Sequence, residues 1–268
     1  EEIIGNWFRE KKNRDKIILA SKIVSKSDGL EWIREGSKYL GFDKKNMNEA
    51  VDASLKRLKT DYIDLYQLHW PNRTSPHFGN QWPGNINYTD VNATEQTEQM
   101  LDILQGLDKC VKAGKIGYCG LSDDTPWGIN QYLRLSEQHN LPRMVSIQNE
   151  FSLLHAKDWP YLIENCVNED IAYLPWSPLA TGLLTGKYQN GARPEGSRWT
   201  FMQRNGLFRD TEHSSKAVDA YLDIAKQHDI SPTKLALGWC DQVNGVTSTI
   251  IGATNMTQLE ENIAVQQL

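Results

Sequence analysis

Short apolar runs alternate with segments of helical periodicity along this chain, and that alternation restricts its fold more than any other feature. Strands that alternate with helices predict a parallel sheet, because parallel neighbours are joined through a crossover. An opening amphipathic helix precedes six such runs, which leaves open a (β/α)8 barrel and an open, doubly wound sheet. The predicted strands end near Lys22, His69, Ser122, Gln148, Trp176 and Gly252.

The open sheet is the weaker of these two alternatives. An open sheet that binds a nucleotide is expected to carry a glycine-rich fingerprint early in the chain, and this chain has none. The segment "TGLLTGKY", residues 181–188, is not a phosphate loop, because only three residues separate Gly182 from Gly186 and a tyrosine follows Lys187. Without a sequence repeat or a low-complexity linker, residues 1–268 are predicted to form one domain.

Composition excludes several classes of function. A net charge of −5 and the lack of a basic stripe argue against nucleic-acid binding. No apolar segment approaches the roughly 18 residues of a membrane-spanning helix, and the four cysteines lack disulfide or zinc spacing. No histidine or carboxylate pair has metal-ligand spacing, so we expect no metal site. We expect a cytoplasmic protein that acts on a small molecule; its oligomeric state is not indicated.

The residues that follow the predicted strands are polar or aromatic, and in a barrel such residues converge on one pocket. Each of them alone has an ordinary structural interpretation, such as a surface lysine or a hydrogen-bonded core histidine. Together, a lysine and a histidine beside amides and an indole suit a pocket that orients a planar cofactor and polarises a carbonyl. These residues are Lys22, His69, Ser122 with Asp123, Gln148 with Asn149, and Trp176 with Ser177.

A long loop, roughly residues 70–94, follows the second predicted strand. Loops of this length are unusual in compact domains, so we predict a functional lid or pocket wall. Its aromatic residues Trp70, Trp82 and Tyr88 suggest an apolar wall for aromatic or aliphatic carbonyls, although packing within the loop would explain them equally well.

Six motifs, in the same order along the chain, resemble the aldo-keto reductase superfamily, above all its bacterial Tas-like branch and the potassium-channel β subunits. The resemblance implies a (β/α)8 TIM barrel that binds NADPH without a Rossmann fold and reduces aldehydes or ketones. The motifs are "ILASK", "DLYQLHWP", "AGKIGYCGLSD", "SIQNEFSLL", "WSPLATGLLTGKY" and "IIGATNMTQLEENI".

The resemblance also implies roles for the residues at the strand ends. Lys22 and His69 match the lysine and histidine of the family's Asp-Tyr-Lys-His tetrad, in which the lysine lowers the pKa of a proton-donating tyrosine. Ser122 and Gln148 would hold the nicotinamide carboxamide, and Trp176 would stack on its ring. Asp123 departs from the pattern, because the family has asparagine or arginine there and a carboxylate cannot donate a hydrogen bond.

Two further groups of residues match the family's contacts to the rest of the cofactor. Gln258 stands where many members have arginine, so we expect NADPH to be preferred over NADH without a charged contact to the 2′-phosphate. The pyrophosphate group is Ser177, Pro178, Leu179, Ala180, Thr181, Lys187 and Arg198, and the adenosine group is Gly252, Thr254, Gln258, Glu261 and Asn262.

The family's aspartate and tyrosine belong to a segment that would lie upstream of residue 1. We therefore expect an N-terminally incomplete reductase, with about six of eight β/α units, which is inactive as the chain stands. The alternative interpretation is a non-catalytic NADP-binding regulatory subunit that resembles the channel β subunits.

Overall fold

A computed structural model of the chain describes residues 1–25, 33, 41–77, 84–201, 209 and 211–265. The chain divides into two compact units, Glu1–Ile147 and Gln148–Leu268. The boundary falls at the end of a strand, Met144–Gln148, whose last residue belongs to the second unit.

The first unit is built on four strands: β1 (Ala20–Ile23), β2 (Ile63–Leu68), β3 (Ile116–Ser122) and β4 (Met144–Gln148). They are neighbours in the order β1-β2-β3-β4. The first two pairs are parallel, with Lys22 level with Gln67 and Gln67 level with Gly120. Their carboxyl ends therefore lie at one edge of the sheet, as the alternating pattern predicts.

Amphipathic helices connect these strands and bury one side of each helix. In the second and third helices the buried residues include Met47, Val51 and Leu58, and Met100, Leu104 and Leu107, at the spacing of a helical face. The helices of this unit are α1 (Glu2–Lys11), α2 (Lys44–Leu58), α3 (Ala93–Lys112) and α4 (Pro126–His139).

Local capping explains where two of these helices begin. Asp43 caps α2, because its carboxylate accepts the N–H groups of Lys45 and Asn46. Thr125 caps α4, and Pro126 occupies the first helical position, where no N–H is needed.

The opening helix α1 is held by fewer apolar contacts than its pattern predicts. Phe8 is buried, but Ile3 is 84% exposed and Trp7 is 40% exposed. Close packing on α2 occurs at Gly5, where an added Cβ would lie 2.7 Å from the carbonyl carbon of Leu58. A glycine is thus required for the contact between the two helices.

The described residues of the second unit form one short strand and mainly helical segments. A buried cluster that includes Ala180, Leu184, Tyr188, Trp199 and Val218 forms its core. Its elements are α5 (Tyr161–Asn168), β5 (Ala172–Tyr173), α6 (Arg198–Phe201), α7 (Glu212–Gln227), α8 (Pro232–Gln242) and α9 (Met256–Ala264).

The sixth predicted strand, which ends near Gly252, is not a strand in this structure. The segment runs beside β5 and donates from Thr247 N–H to Tyr173 O (2.9 Å) and from Ile250 N–H to Pro175 O (2.9 Å). An isolated parallel bridge joins Tyr173 and Val246, and the pairing does not extend to Pro175, which has no N–H to donate. The same proline limits β5 to two residues.

Parallel strands and helices alternate here as in part of a (β/α)8 barrel, and the predicted fold class is confirmed. In the described part of the chain five strands form, one fewer than predicted. All four cysteines are buried thiols. Among the described helices, none combines the length and apolarity that crossing a membrane requires.

Candidate active site

In the first unit, the predicted lysine and histidine lie on neighbouring strands at the same edge of the sheet. Lys22 is in β1, and His69 follows β2, where its N–H donates to Ile23 O (2.9 Å). Asp123 follows β3, and the charges of Lys22 and Asp123 interact. The structure therefore brings Lys22, His69 and Asp123 together, as expected for residues at the ends of adjacent parallel strands.

Burial determines the protonation of this group. Burial lowers the pKa of Lys22, and the negative charge of Asp123 offsets part of that shift. Burial, and then the charge of Lys22, lower the pKa of His69 to about 4. At neutral pH the imidazole is therefore uncharged and presents one N–H donor and one acceptor nitrogen.

The turn after β3 has an unusual backbone. Ser122 is buried, and the next residue, Asp123, has φ of 50°, in the left-handed region. Aspartate and asparagine tolerate this conformation better than most residues. The turn directs consecutive residues to different surroundings, so the two acids Asp123 and Asp124 have different partners.

Asp124 forms a buried ion pair with Arg73, from the loop after β2. Their side chains are 3% and 8% exposed. Arg73 Nη1 donates to Asp124 Oδ2 (3.2 Å), Nη2 donates to Asp124 Oδ1 and to the hydroxyl of Thr125 (3.2 Å), and the guanidinium lies 5.1 Å from the ring centre of Trp127. This pair connects the loop that carries His69 to the turn that carries Asp123.

Sequence reasoning missed this ion pair. One local signal is the Thr-Pro pair directly after Asp124, which favours the start of a helix and indicates no partner for the acid. Gly128 is a second signal, because a Cβ at this position would overlap the Asp124 carboxylate and the Arg73 guanidinium. Nothing in the sequence around Arg73 singles it out.

In the second unit, Gln148 ends β4, and hydrogen bonds on both sides hold the backbone of Trp176. Its N–H donates to Asn149 O (2.9 Å), and its carbonyl accepts from the N–H of Phe151 (3.2 Å). The guanidinium of Arg209 lies 5.9 Å from the Trp176 ring centre and forms a buried ion pair with Glu150. The indole is therefore fixed by its backbone and flanked by a cation.

The loop after Trp176 carries the most strained backbone of this unit. Ser177, Ala180 and Thr181 have φ of 58°, 47° and 58°, although none of them is a glycine or an asparagine. Left-handed backbone is unfavourable for such residues, and it persists where the surrounding structure enforces it, often at functional sites. Within the predicted pyrophosphate group, Pro178 and Leu179 complete the turn that carries these strained residues.

Lysine and aromatic residues support this strained loop. A Cβ at Gly182 would lie 2.8 Å from Lys187 Cε, so the Lys187 side chain lies directly against the loop. Trp199 donates from its indole N–H to the Thr181 hydroxyl (3.1 Å) and stacks on Tyr188 with ring centres 4.4 Å apart. Arg198, predicted to bind the pyrophosphate, begins α6 and is exposed.

The predicted adenosine residues gather around the first turn of α9. The Gln258 side-chain oxygen accepts from the N–H and the hydroxyl of Thr254, both at 3.0 Å. Asn262 is buried and donates to Gly252 O (3.2 Å), and Glu261 accepts from the hydroxyl of Ser231 (2.7 Å). Because the oxygen of Gln258 is engaged, its NH2 group remains to donate to a ligand.

One residue of the predicted pocket wall, Trp82, lies outside the described residues. In the described parts of the loop, 70–77 and 84–92, Trp70 is half-buried and its ring lies 4.6 Å from that of His69, whereas Tyr88 is 58% exposed. Of the two described aromatic residues, Trp70 is the one adjacent to the candidate site.

Comparison with known proteins places these observations in a family. The aldo/keto reductase family model matches residues 1–268. "Protein tas" of Escherichia coli K12 is 41% identical over 264 residues, 98% of this chain and 73% of that protein. A probable voltage-gated potassium channel subunit beta of Arabidopsis thaliana is 28% identical, over 98% of this chain and 72% of that protein.

A third relative is the NADP(+) aryl-alcohol dehydrogenase of Phanerodontia chrysosporium, which is 25% identical over 98% of this chain and 64% of that protein. A relative named as a dehydrogenase thus stands beside one named as a channel subunit. The family model spans all 268 residues, and the order of parallel strands and helices agrees with it. This chain therefore belongs to the aldo/keto reductase family.

Proposed function

We propose that this protein is an NADP(H)-dependent carbonyl reductase that transfers hydride to an aldehyde or a ketone. The observation that carries the proposal is the strained loop of Ser177, Ala180 and Thr181, with the Lys187 side chain against it. The loop is compact, because the N–H of Ala180 donates to Ser177 O (2.8 Å) and the N–H of Gly182 donates to Leu179 O (2.8 Å), and the Lys187 side chain beside it is the group that can contact an anion. A loop of this kind beside an ammonium suits a pyrophosphate.

The chemistry of the residues fits a nicotinamide dinucleotide at three further points. In the second unit, Gln148 supplies an amide for the carboxamide, and Trp176 supplies a flat surface for the ring. The Gln258 NH2 group is available as a donor near the start of α9, where the helix dipole favours an anion. We therefore assign the dinucleotide to these residues and prefer NADP(H), which the name of the Phanerodontia relative supports.

Within this proposal the cofactor, when bound, supplies the hydride. His69 is neutral at pH 7 because its pKa lies near 4, so its N–H can donate a hydrogen bond to the substrate carbonyl oxygen without carrying charge. The Lys22 ammonium, on the neighbouring strand, would stabilise the negative charge that develops on that oxygen. The proton that completes the alcohol comes, in the family, from the tyrosine of the tetrad, to which Tyr62, Tyr66 and Tyr88 do not correspond. Asp123 has no counterpart in the family's set of donors.

The substrate class is an aromatic or aliphatic carbonyl compound of small size. Trp70, which contacts the His69 ring, provides an apolar surface beside the polarising group. The name of the aryl-alcohol dehydrogenase relative agrees with an aromatic aldehyde as the first compound to test. We also propose a cytoplasmic location.

A non-catalytic NADP-binding subunit is the second candidate. It is favoured by the similarity to the channel subunit beta over 98% of this chain. The two candidates share cofactor binding, and turnover is expected only for the reductase.

The experiment measures NADPH binding by quenching of tryptophan fluorescence, and then NADPH oxidation with an aromatic aldehyde. His69→Ala should abolish turnover and leave NADPH affinity within about twofold, while the control His139→Ala, on the exposed last turn of α4, should match the parent protein. Turnover in the parent protein that is lost in His69→Ala excludes the regulatory candidate, whereas binding without turnover is expected both for that candidate and for a reductase that lacks the family's proton-donating tyrosine. Absence of NADPH binding contradicts both.

A further inference from the structure

A buried carboxylate, Asp158, lies in the second unit shortly before α5, and it is 5% exposed. Its Oδ2 accepts two hydrogen bonds, one from Asn149 Nδ2 (2.8 Å) and one from the Tyr173 hydroxyl (2.9 Å). Asn149 directly follows β4, and Tyr173 is the last residue of β5. One carboxylate oxygen therefore joins the end of β4 to the end of β5.

The two segments that Asp158 joins also carry the proposed contacts to the nicotinamide. Gln148 directly precedes Asn149 in the sequence. Trp176 follows Tyr173 by three residues. The main chains of the two segments are paired as well, because the Trp176 N–H donates to Asn149 O (2.9 Å). Asn149 is thus held by Trp176 through its main chain and by Asp158 through its side chain.

Packing fixes the second hydrogen-bond donor, the Tyr173 hydroxyl. Tyr173 is fully buried, and its ring meets that of Phe151 edge to face, with ring centres 5.7 Å apart. Its N–H donates to the Thr247 hydroxyl (3.1 Å), and its carbonyl accepts the Thr247 N–H (2.9 Å). Burial raises the pKa of Tyr173, so the hydroxyl keeps the proton that it donates. The hydroxyl therefore has one position, and Asp158 is its acceptor.

Stability alone does not favour a carboxylate at this position. The two side chains that donate to Asp158 are neutral, and a buried carboxylate is costly unless an opposite charge accompanies its hydrogen bonds. Burial accordingly raises the pKa of Asp158, and the hydrogen bonds from Asn149 and Tyr173 offset part of that shift. Apolar side chains would fill the same space without this cost. A satisfied polar network, in contrast, rigidifies the groups that it joins.

We propose that Asp158 is a positioning residue for the nicotinamide end of the cofactor site. Its carboxylate holds the segment of Gln148 and the segment of Trp176 in a fixed arrangement. The inference rests on the proposed function, which assigns the carboxamide to Gln148 and the ring to Trp176. Asp158 acts through its two partners and does not touch the cofactor. Its hydrogen bonds go to other segments than the adenosine residues around α9, so its effect is confined to one end of the dinucleotide.

The test compares two ligands by isothermal titration calorimetry. NADPH occupies the whole site, whereas adenosine 2′,5′-bisphosphate carries the adenosine and the 2′-phosphate but no nicotinamide. The proteins are the parent, Asp158→Leu, Asp158→Asn and Asp223→Leu. Leucine has a similar branched shape but accepts no hydrogen bond, whereas asparagine retains an acceptor oxygen. Asp223 is the matched control, because it is exposed on α7.

In Asp158→Leu, the dissociation constant of NADPH should rise by about tenfold, on the scale of one hydrogen bond and one stacking surface out of place. The dissociation constant of the bisphosphate should stay within about twofold of the parent value, because its contacts are remote from Asp158. Asp158→Asn should restore most of the NADPH affinity through its acceptor oxygen. Asp223→Leu should match the parent protein for both ligands. A general loss of structure would weaken both ligands alike, so the comparison separates positioning from stability.

Failure of this inference and failure of the proposed function give different results. If the parent protein does not bind NADPH, the proposed function is wrong and this inference is wrong with it. If the parent binds NADPH and Asp158→Leu either binds it as Asp223→Leu does or weakens both ligands by the same factor, the inference alone is overturned. Should Asp158→Leu fail to fold, Tyr173→Phe decides, because it removes one of the two hydrogen bonds. Weaker binding of NADPH with unchanged binding of the bisphosphate then supports the inference, and an unchanged ratio of the two dissociation constants overturns it.

Discussion

Replacing Arg73 by methionine should destabilise the first unit more than any ordinary surface change. The substitution removes a guanidinium from an ion pair whose side chains are 8% and 3% exposed, and it leaves the Asp124 carboxylate buried. The hydrogen bond to Thr125 (3.2 Å) and the cation contact to Trp127 (5.1 Å) are lost as well. Methionine retains the apolar length of the side chain, so loss of packing is small.

The expected magnitude follows from the burial of the pair. Removing one partner of a buried ion pair costs about 3–5 kcal/mol, because the remaining charge is uncompensated. With an m-value of about 2 kcal/mol/M in urea, the unfolding midpoint should fall by about 2 M. The double variant Arg73→Met with Asp124→Asn removes both charges and should be less destabilised than the sum of the two single variants.

Urea unfolding followed by tryptophan fluorescence measures these differences. The control is Arg134→Met on the exposed side of α4, where the guanidinium donates to Gln131 (2.6 Å); we expect it within about 0.5 kcal/mol of the parent protein. If Arg73→Met unfolds at the same urea concentration as Arg134→Met, or if the double variant shows no coupling, the reasoning about the buried pair is refuted.

Three further predictions follow from single residues. The pKa of His69 is lowered from 6.5 to about 4. The stability provided by its neutral form is therefore present above about pH 6.5 and is lost as the pH falls through about 4. An NMR titration of the imidazole with a midpoint at 6.5 would contradict this. Gly128→Ala should lower the melting temperature, because its Cβ overlaps the Arg73–Asp124 pair, whereas Gly41→Ala, with no atom within 4 Å of its Cβ, should not. Thr211→Ala removes the capping box of α7 and should destabilise that helix by about 1 kcal/mol, seen as faster amide exchange in its first turn; unchanged exchange would show that the cap is dispensable.

The sequence by itself determined the features that depend on neighbouring residues. Alternating apolar runs and helical faces predicted the parallel strands and the helices between them, because burial of one face follows the period of each element. Serine is a preferred helix cap and proline a preferred first helical residue, and α8 begins at Pro232 with Ser231 as its cap. Lys22 and His69 were predicted to lie at the same edge of the sheet because each is near the end of its strand, and parallel strands end together.

Only the tertiary structure decided the features that depend on residues distant in sequence. Arg73 and Asp124 are 51 positions apart, and their pairing arises only when the loops after β2 and β3 meet. The sixth predicted strand has a suitable local sequence, but the neighbour it pairs with contains Pro175, which cannot donate the reciprocal hydrogen bonds. The left-handed backbone of Ala180 likewise has no local cause, since alanine disfavours it, and it is imposed by the packing around it. Propensity acts over a few residues, whereas pairing and strain depend on which segments the fold brings together.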